Sequence, residues 1–373
     1  MAVYRCIAAD LRTGTKLAEL PLRSLSFSQT LNDAGEASGV LALPAPTTAA
    51  NRTTAATLNE AVDEARRQLI IEREGVVVWC GIIWMAPYND DNQTRSIRAA
   101  EDWSYFRRRR IDYAAAWTAT DQLTIARALV DNAQASPGGN INITTVAATS
   151  GVTRDFSFGR YELKPVAEAF EDLATMDDGF DWAIEPAWSG STLVKTLRLS
   201  YPRRGRNFEQ TGHVFEVGRN VLSFTWPTDG TRVSNKVWAT GNGEGDAMLI
   251  ASAADAQQIQ PLSAGGPGYP LLEDVVSLKD ETQQANLNAR ARARVTYTAT
   301  PVVLPTLTVR ADLDPVLGAY IVGDACRIII PPNFSPRFPD GLDTFRRIVG
   351  YAVDVDDEGT EAVTLTLGEE PSA

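Results

Sequence analysis

Two hydrophobic periods divide this chain of 373 residues. Short segments in which apolar and polar residues alternate, the pattern of β-strands, fill both ends of the chain. In the last of them Val363, Leu365 and Leu367 alternate with threonines. From Tyr113 to about Pro202 apolar residues instead recur at a spacing near 3.6, the pattern of helices. The sequence therefore predicts a mainly β protein with an α+β part in its middle.

The N-terminal part, residues 1–112, contains short strand-like segments separated by polar turns. Val3 to Ala9 and Thr15 to Leu20 flank one turn, and Gln68 to Glu72 and Val76 to Trp84 flank another, so both pairs predict β-hairpins. Thr57 to Glu60 fits a capping box and predicts the start of a short helix. Regularly spaced strands of this kind predict a small β-barrel, with a β-sandwich as the alternative.

The middle part, residues 113–214, carries two helical patterns. One follows Asp121, and the other follows Pro165, which suits the first turn of a helix. Phe180 to Glu185 and Leu193 to Tyr201 then predict a β-hairpin. We expect an α+β domain here.

The C-terminal part, residues 215–373, is β again and predicts a second small barrel with an insertion at about 241–303. Within the insertion, Asp255 to Pro270 is rich in Ala, Gln, Gly and Pro and predicts a surface loop. Ser277 to Arg292 predicts one exposed helix capped at Ser277. Gly241 to Asp246 lacks the Lys-Ser/Thr ending of a phosphate loop and predicts a flexible turn.

The two β parts share a pattern that indicates an internal duplication. Val76 to Trp84 contains Gly81 and leads through a polar turn to an alternating strand. Ile348 to Val353 contains Gly350 and does the same. The two β domains are therefore predicted to be copies of one fold, with chance resemblance between two hairpins as the alternative.

Charge and cysteine content exclude several classes of protein. The 35 basic and 47 acidic residues give a net charge of −12, which repels nucleic acids and anionic membranes. We expect no sequence-specific binding of nucleic acid. Cys6, Cys80 and Cys326 are far apart in apolar segments, so core thiols are predicted in place of disulfides or a zinc site. The longest apolar run, Val76 to Pro87, is too short to span a bilayer, and we expect no membrane insertion.

Candidate chemistry is sparse. His213 is the only histidine, which excludes sites that need two imidazoles, and it is predicted to be an incidental surface residue. An acidic cluster with nearby tryptophans could serve a glycan hydrolase, which needs two facing carboxyls, or a carbohydrate-binding surface. The alternative is a solvated turn followed by a half-buried strand. The residues concerned are Asp177, Asp178, Asp181, Trp182, Glu185 and Trp188.

A basic and aromatic segment is the candidate interface: Trp103, Tyr105, Arg107, Arg108, Arg109 and Arg110. Such a composition also occurs at nucleic-acid sites, but the net charge opposes that function here. Arginines at a domain junction commonly contact carboxylates of a neighbouring domain or subunit, which is the interpretation we favour. No residue is predicted to be catalytic or to bind a cofactor or a metal.

Several strings resemble the N-terminal region of minor tail proteins from siphophages of actinobacteria. They are Arg67 to Gly75, Val78 to Trp84, and Glu101 to Phe106 with the following arginines and Ile111. The order of the parts, β, then α+β, then β with an insertion, resembles the baseplate hub proteins of phage tail tips.

That resemblance implies a homotrimer in the virion, synthesised in the host cytoplasm. Each subunit would contribute two barrels to a ring of six that matches the tail tube and closes or passes the DNA channel. The implied partners are the tail tube or distal tail protein, the tape-measure protein, and other minor tail or receptor-binding proteins. The resemblance implies a structural protein and no enzyme, with the glycan hydrolase and the carbohydrate-binding protein as alternatives.

Overall fold

The computed structural model describes residues 2–299 and 304–369, so the end of the predicted insertion, residues 300–303, lies outside the described residues. The described strands are β1 (Tyr4–Asp10), β2 (Lys16–Leu20), β3 (Leu22–Thr30), β4 (Glu36–Ala42), β5 (Arg67–Arg73), β6 (Val76–Met85), β7 (Tyr88–Asn89), β8 (Thr94–Glu101), β9 (Ala115–Asp121), β10 (Ile143–Thr145), β11 (Thr153–Phe158), β12 (Asp181–Ser189), β13 (Thr192–Ser200), β14 (Val214–Glu216), β15 (Val221–Thr225), β16 (Lys236–Thr240), β17 (Ile250–Ala254), β18 (Glu273–Ser277), β19 (Thr306–Val309), β20 (Ala325–Ile330), β21 (Leu342–Val355) and β22 (Glu361–Gly368).

The helices are fewer and mostly short. They are α1 (Ala49–Ala61), α2 (Trp103–Phe106), α3 (Gln122–Ala135), α4 (Val166–Ala174), α5 (Phe208–Thr211) and α6 (Gln284–Thr298), with 3-10 turns at Arg160–Glu162, Gly245–Ala247 and Leu262–Ala264. The predicted mainly β class with α+β content is confirmed.

One sheet of 14 strands runs through both ends of the chain. Its main order is β15-β19-β22-β21-β3-β4-β8-β6-β5-β1-β2, with β14 and β20 beside β21 and β7 beside β8. Among the described residues no strand pairing closes either end of the chain into a barrel. The two ends are instead joined, because β3 pairs with the second half of β21.

The same strand order occurs twice in this sheet. In the N-terminal copy, consisting of β3, β4, β5, β6 and β8, the order is β3-β4-β8-β6-β5. In the C-terminal copy, consisting of β15, β19, β20, β21 and β22, it is β15-β19-β22-β21-β20. Every neighbouring pair in both copies is antiparallel. Gly81 and Gly350, which indicated the duplication, lie in the corresponding strands β6 and β21.

The copies differ most in the connection between their first two strands. Residues 31–35 make this connection in the N-terminal copy, whereas residues 226–305 do so in the C-terminal copy. The longer connection contains a small sheet of β16, β17 and β18 with α6 packed on it.

A single connected core joins the two copies. It includes Leu25, Phe27 and Trp79 from one end of the chain and Val353 and Leu365 from the other. Burial of these side chains is the main source of stability, at roughly 1.5–3 kcal/mol for each large apolar residue. The copies therefore share a hydrophobic core and are not separate globules.

The middle part packs around a second core, which contains Phe170 and Trp182. Its α3 begins after Asp121, whose carboxylate accepts a hydrogen bond from Leu123 N at 2.9 Å, and its α4 begins directly after Pro165. Both predicted helices and the predicted hairpin, now β12 with β13, are confirmed.

Two predicted helix starts are wrong. Ser277 ends strand β18, where it pairs with Thr240, and α6 starts at Gln284 with Leu287 fully buried against the small sheet. In the N-terminal part, α1 starts after Thr48, whose hydroxyl accepts from Asn51 N at 3.1 Å, so Thr57 lies near the end of that helix. The start of α1 is earlier and the start of α6 is later than predicted, because several polar residues near each helix could cap it equally well by sequence.

Candidate functional site

Three segments of the chain converge on the buried carboxylate of Asp181 at the start of β12. Its Oδ2 accepts from the guanidinium of Arg347 in β21 and from the backbone N of Arg204 at 2.8 Å. Its Oδ1 accepts from Nδ2 of Asn32, in the turn after β3, at 2.6 Å. These bonds hold the middle part against both copies, and we call this place the three-way junction.

A second buried ion pair fastens the middle part to the N-terminal copy. Lys195 in β13 is fully buried, and its Nζ lies 2.9 Å from Oδ1 of Asp102 and 3.2 Å from Oε1 of Gln68. Asp102 follows β8 and Gln68 lies in β5. Because a buried charge is costly unless it is paired, this contact fixes the position of the hairpin.

A third carboxylate, Asp324, anchors the linker at the end of the middle part. It is completely buried and accepts from Arg206 N at 2.8 Å and from Ile321 N at 3.2 Å. Burial acts to raise the pKa of Asp324, but the imidazole of His213 close by and the hydrogen bonds from Arg206 and Ile321 N outweigh it and hold that pKa well below its usual range. The prediction that His213 is a surface residue is wrong, since it is buried with Nε2 3.6 Å from Asp324 Oδ2.

A cavity of about 310 Å³ opens beside the three-way junction. Glu101, at the end of β8, lines it together with Glu185, Arg204 and Tyr351. Burial, and to a smaller extent the charge of Asp102, raises the pKa of Glu101 to about 8. Hydrogen bonds that Glu101 accepts from Gly35 N at 2.8 Å and from the side chain of Gln29 oppose this shift without cancelling it.

The acidic cluster predicted from sequence is dispersed by the fold. Asp177 pairs with Arg292 at 3.0 Å, and Asp178 occupies a turn with φ of 55°. Asp181 serves the three-way junction, and Glu185 pairs with both Arg198 and Arg204. Three of these four carboxylates, those of Asp177, Asp181 and Glu185, pair with arginines.

The two tryptophans of that cluster both make contacts inside the chain. Trp182 is buried against Trp103 and Phe170, with ring centroids 5.3 and 5.1 Å away. Trp188 is partly buried and donates from Nε1 to Glu72 at 2.5 Å. A buried indole cannot stack on a sugar in solution.

The candidate interface segment, Trp103 to Arg110, is partly used inside the chain. Trp103 is buried, and Tyr105 and Arg109 donate to the carbonyls of Gly139 and Ala133, both at 2.9 Å. Arg107 pairs with Asp33 of the turn after β3. Arg108 lies 4.5 Å from the ring centroid of Trp84, and both Arg108 and Arg110 are exposed. An interface with another subunit stays a prediction for these last two arginines and Arg107.

Solved structures of very different sequence share this architecture. The tail protein of Neisseria meningitidis MC58 aligns over 98% of this chain and 97% of its own with a TM-score of 0.60 at 12% identity. The 43 kDa tail protein of prophage MuSo2 from Shewanella oneidensis aligns over 98% of both chains with a TM-score of 0.62 at 11% identity. Prophage tail protein gp18 of Listeria monocytogenes EGD-e aligns over 98% of this chain and 95% of its own, with a TM-score of 0.55 at 12% sequence identity.

The chain has the fold of phage tail proteins. No model of a protein family matches the sequence, and no curated protein is detectably similar to it. In the described part of this tail-protein fold no helix is long and apolar enough to cross a membrane. Residues 2–299 and 304–369 also contain no group of three or more His, Cys, Asp or Glu side chains placed to hold a metal ion.

The buried charges of this tail-protein fold escaped the sequence analysis, although one left a signal. Lys195 lies in phase with Leu193 and Leu197 along β13, and all three side chains are buried. A lysine on the apolar face of an alternating strand indicates a buried partner. Nothing local indicates that the partner is Asp102, which is far away in sequence.

Proposed function

We propose that this protein is a structural hub at the tip of a long non-contractile phage tail, where three chains form a ring of six similar β units. The observation that supports this proposal is the repeated strand order, with one copy joined to the other by pairing of β3 with β21. A chain that carries two equivalent units gives six units in a trimer, which matches a six-fold tail tube.

The buried ion pairs and hydrogen bonds between the parts of the chain suit such a role. Asp181, Lys195 and Asp324 fix the middle part and the linker against the two copies, so the angle between the copies is set within each chain. A ring closes only if that angle is reproducible from subunit to subunit. We propose the division into residues 1–112, 113–214 and 215–373, with the second range as the part that stands outside the ring.

The proposed neighbours follow from the position of the ring in a virion. The tail tube or distal tail protein would bind one face, the tape-measure protein would end in the lumen, and other minor tail or receptor-binding proteins would bind the other face. A net charge of −12 per chain favours a lumen in which DNA moves without adhering. The proposed role is passage or closure of the DNA channel and attachment to the host.

Mass measurement and imaging test this function together. Native mass spectrometry of the purified protein, and of the protein co-expressed with its neighbouring tail proteins, is expected to give three times the chain mass. Negative-stain images are expected to show a ring with six similar units. A protein that stays monomeric in both preparations and is absent from purified tails contradicts the proposal.

A glycan hydrolase is the second candidate, and one observation favours it. Glu101, with a pKa of about 8, and Glu185, paired with arginines, line the same cavity, and unequal carboxyls are the acid and the base of such enzymes. Cell-wall cleavage by purified protein that disappears in Glu101→Gln and Glu185→Gln would establish it. Wild-type protein without cleavage, against a lysozyme control, rejects it.

A further inference from the structure

The contact between the two copies inside the chain has a definite register. Residues Leu25 to Thr30 of β3 lie antiparallel to Val355 to Gly350 of β21. At this contact Leu25 and Val355 are almost fully buried, with 5% and 7% of their surfaces exposed. The first strand of one copy thus covers the second half of the long strand of the other.

The corresponding first strand of the C-terminal copy lacks such a cover. The sequence Leu222-Ser223-Phe224-Thr225 in β15 repeats Leu25-Ser26-Phe27-Ser28 in β3. Over Leu222 to Thr225, β15 has a strand partner only in β19 within the described residues. Leu222, at the place of Leu25, is 66% exposed.

The corresponding long strand of the N-terminal copy is also uncovered. β6 and β7 together span residues 76–89, which make the same hairpin with β8 that β21 makes with β22. Gly350 to Val355 of β21 pair with β3, whereas the corresponding end of β6 and β7, at residues 84–89, leaves Met85 and Tyr88 about half exposed.

Neighbouring residues across the strands fix which positions correspond. In each copy, residues that face each other on successive neighbouring strands form a row across the sheet. The row starts in the first strand, crosses the second and last strands, and ends in the long strand. The rows are Ser26, Ser38, Arg98 and Met85 in the N-terminal copy, and Ser223, Thr308, Thr364 and Ala352 in the C-terminal copy. Met85 therefore corresponds to Ala352, and Thr225 corresponds to Ser28, which faces Ala352 inside the chain.

We propose that β15 of one chain docks along residues 84–89 of a second copy of the chain, with Thr225 facing Met85 of that copy. This inference rests on the proposed ring and names its contact between chains. The same two elements would meet six times, three times within chains and three times between them. Such a head-to-tail contact closes into a ring when its rotation is right.

The contact between chains is expected to depend more on apolar side chains than the contact within the chain does. Pro87 has no N–H to donate, and Ala86 O already accepts from Arg95 Nε at 2.7 Å. The edge at residues 84–89 thus has fewer backbone N–H and C=O groups free to form hydrogen bonds with a docking strand than β21 has. Burial of Leu222, Met85 and Tyr88 would supply the difference.

Disulfide cross-linking tests the register. The double variant Met85→Cys/Thr225→Cys is expected to give a covalent trimer on mild oxidation, because facing Cα atoms in antiparallel strands lie within about 4.5–5.5 Å. Each single variant should stay uncross-linked. Ser28→Cys/Ala352→Cys is the matched positive control, since the same positions face each other inside one chain.

A charge substitution tests the surface independently. Leu222→Arg should remain folded, because Leu222 is exposed in the single chain, and should lose the trimer in native mass spectrometry. Ile250→Arg, at an apolar residue of β17 that is 52% exposed, should keep the trimer.

The possible failures of this docking contact are distinguishable from failure of the ring. The docking contact is overturned, and the ring is kept, if the wild type is a trimer and Leu222→Arg is a trimer too. The same conclusion follows if Ser28→Cys/Ala352→Cys forms its disulfide within the chain while Met85→Cys/Thr225→Cys forms none between chains. Wild-type protein that is monomeric with its neighbours present overturns both.

Discussion

Asp181 is the residue whose loss should weaken the junction most. Replacing it by Asn keeps the volume but leaves the Arg347 guanidinium, which is buried, without its counter-charge. Breaking a buried pair from one side costs roughly 3–5 kcal/mol of the free energy of unfolding. We expect urea denaturation of Asp181→Asn to show a free energy of unfolding lower by that amount, and therefore a lower midpoint.

Asp177→Asn is the matched control for this substitution. Its carboxylate pairs with Arg292, but both side chains are about half exposed. Exposed pairs contribute about 0–1 kcal/mol, so this variant should unfold close to wild type. Equal midpoints for the two variants would show that the buried pair does not hold the junction.

Glu101 should make the stability of the protein depend on pH. Burial raises the pKa of its carboxyl from 4.5 to about 8, so between these values the folded state holds a proton that the unfolded state releases. Stability contributed by this group is therefore lost as pH rises through that window. We expect the Tm of wild type to fall relative to that of Glu101→Gln as pH rises from about 5 to 8. Parallel Tm profiles for the two proteins would contradict the raised pKa.

For single residues, the sequence predicted which side chains are buried better than it predicted which side chains they contact. The core thiols were predicted from apolar context and are buried, whereas the acidic cluster was grouped by sequence proximity and is dispersed onto separate arginines. Side-chain partners such as Asn32 and Asp181 are far apart in the chain. Only the folded backbone brings them together, so no local pattern could identify them.

Among the elements, β3 holds the two copies together, and its central side chain should show this. Phe27 is fully buried and faces Val353 across the strand pair. Phe27→Ala is expected to cost about 3–5 kcal/mol of the free energy of unfolding, as truncations of buried aromatic residues do.

Phe224→Ala is the matched control, because Phe224 has the same place in the repeated Leu-Ser-Phe sequence but is only partly buried in the single chain. In dilute, monomeric protein it should cost clearly less than Phe27→Ala. Denaturant unfolding at low protein concentration measures both. Equal losses would argue against the equivalence of β3 and β15.

Elements with a strong local signal were predicted well. The caps at Asp121 and Pro165 and the hairpin turns placed α3, α4 and β12–β13 correctly. Pairing between distant strands was not predicted, since β3 could pair with any exposed edge by its alternation alone. The hairpins that contain Gly81 and Gly350 predicted the duplication, and the repeated Leu-Ser-Phe sequence is a second signal for it. Each signal is too short to distinguish from chance without the strand order.

At the scale of the whole molecule, the three thiols report on global unfolding. Cys6, Cys80 and Cys326 are buried in different parts of the fold, and burial raises the pKa of Cys6 to about 12. A thiol that is both inaccessible and protonated does not react with disulfide reagents. We expect no labelling of the native protein, and labelling of all three thiols in denaturant with the same midpoint as the circular dichroism signal.

Early labelling of one cysteine would identify a part that opens separately. Mass spectrometry of the labelled peptides would distinguish Cys80, beside the Lys195 ion pair, from Cys326 in β20. Early labelling of either Cys6 or Cys326 without the other would contradict the single core shared by the copies, since both side chains belong to that core.

The unequal connections between the first two strands of the copies have an evolutionary consequence. Six identical chains would have to accept any insertion at every position around a ring. Two copies carried on one chain are free to diverge, and here one copy has a five-residue turn at 31–35 where the other has a folded connection within 226–305. In the proposed ring, divergence of this kind would add a three-fold feature without altering the six-fold framework.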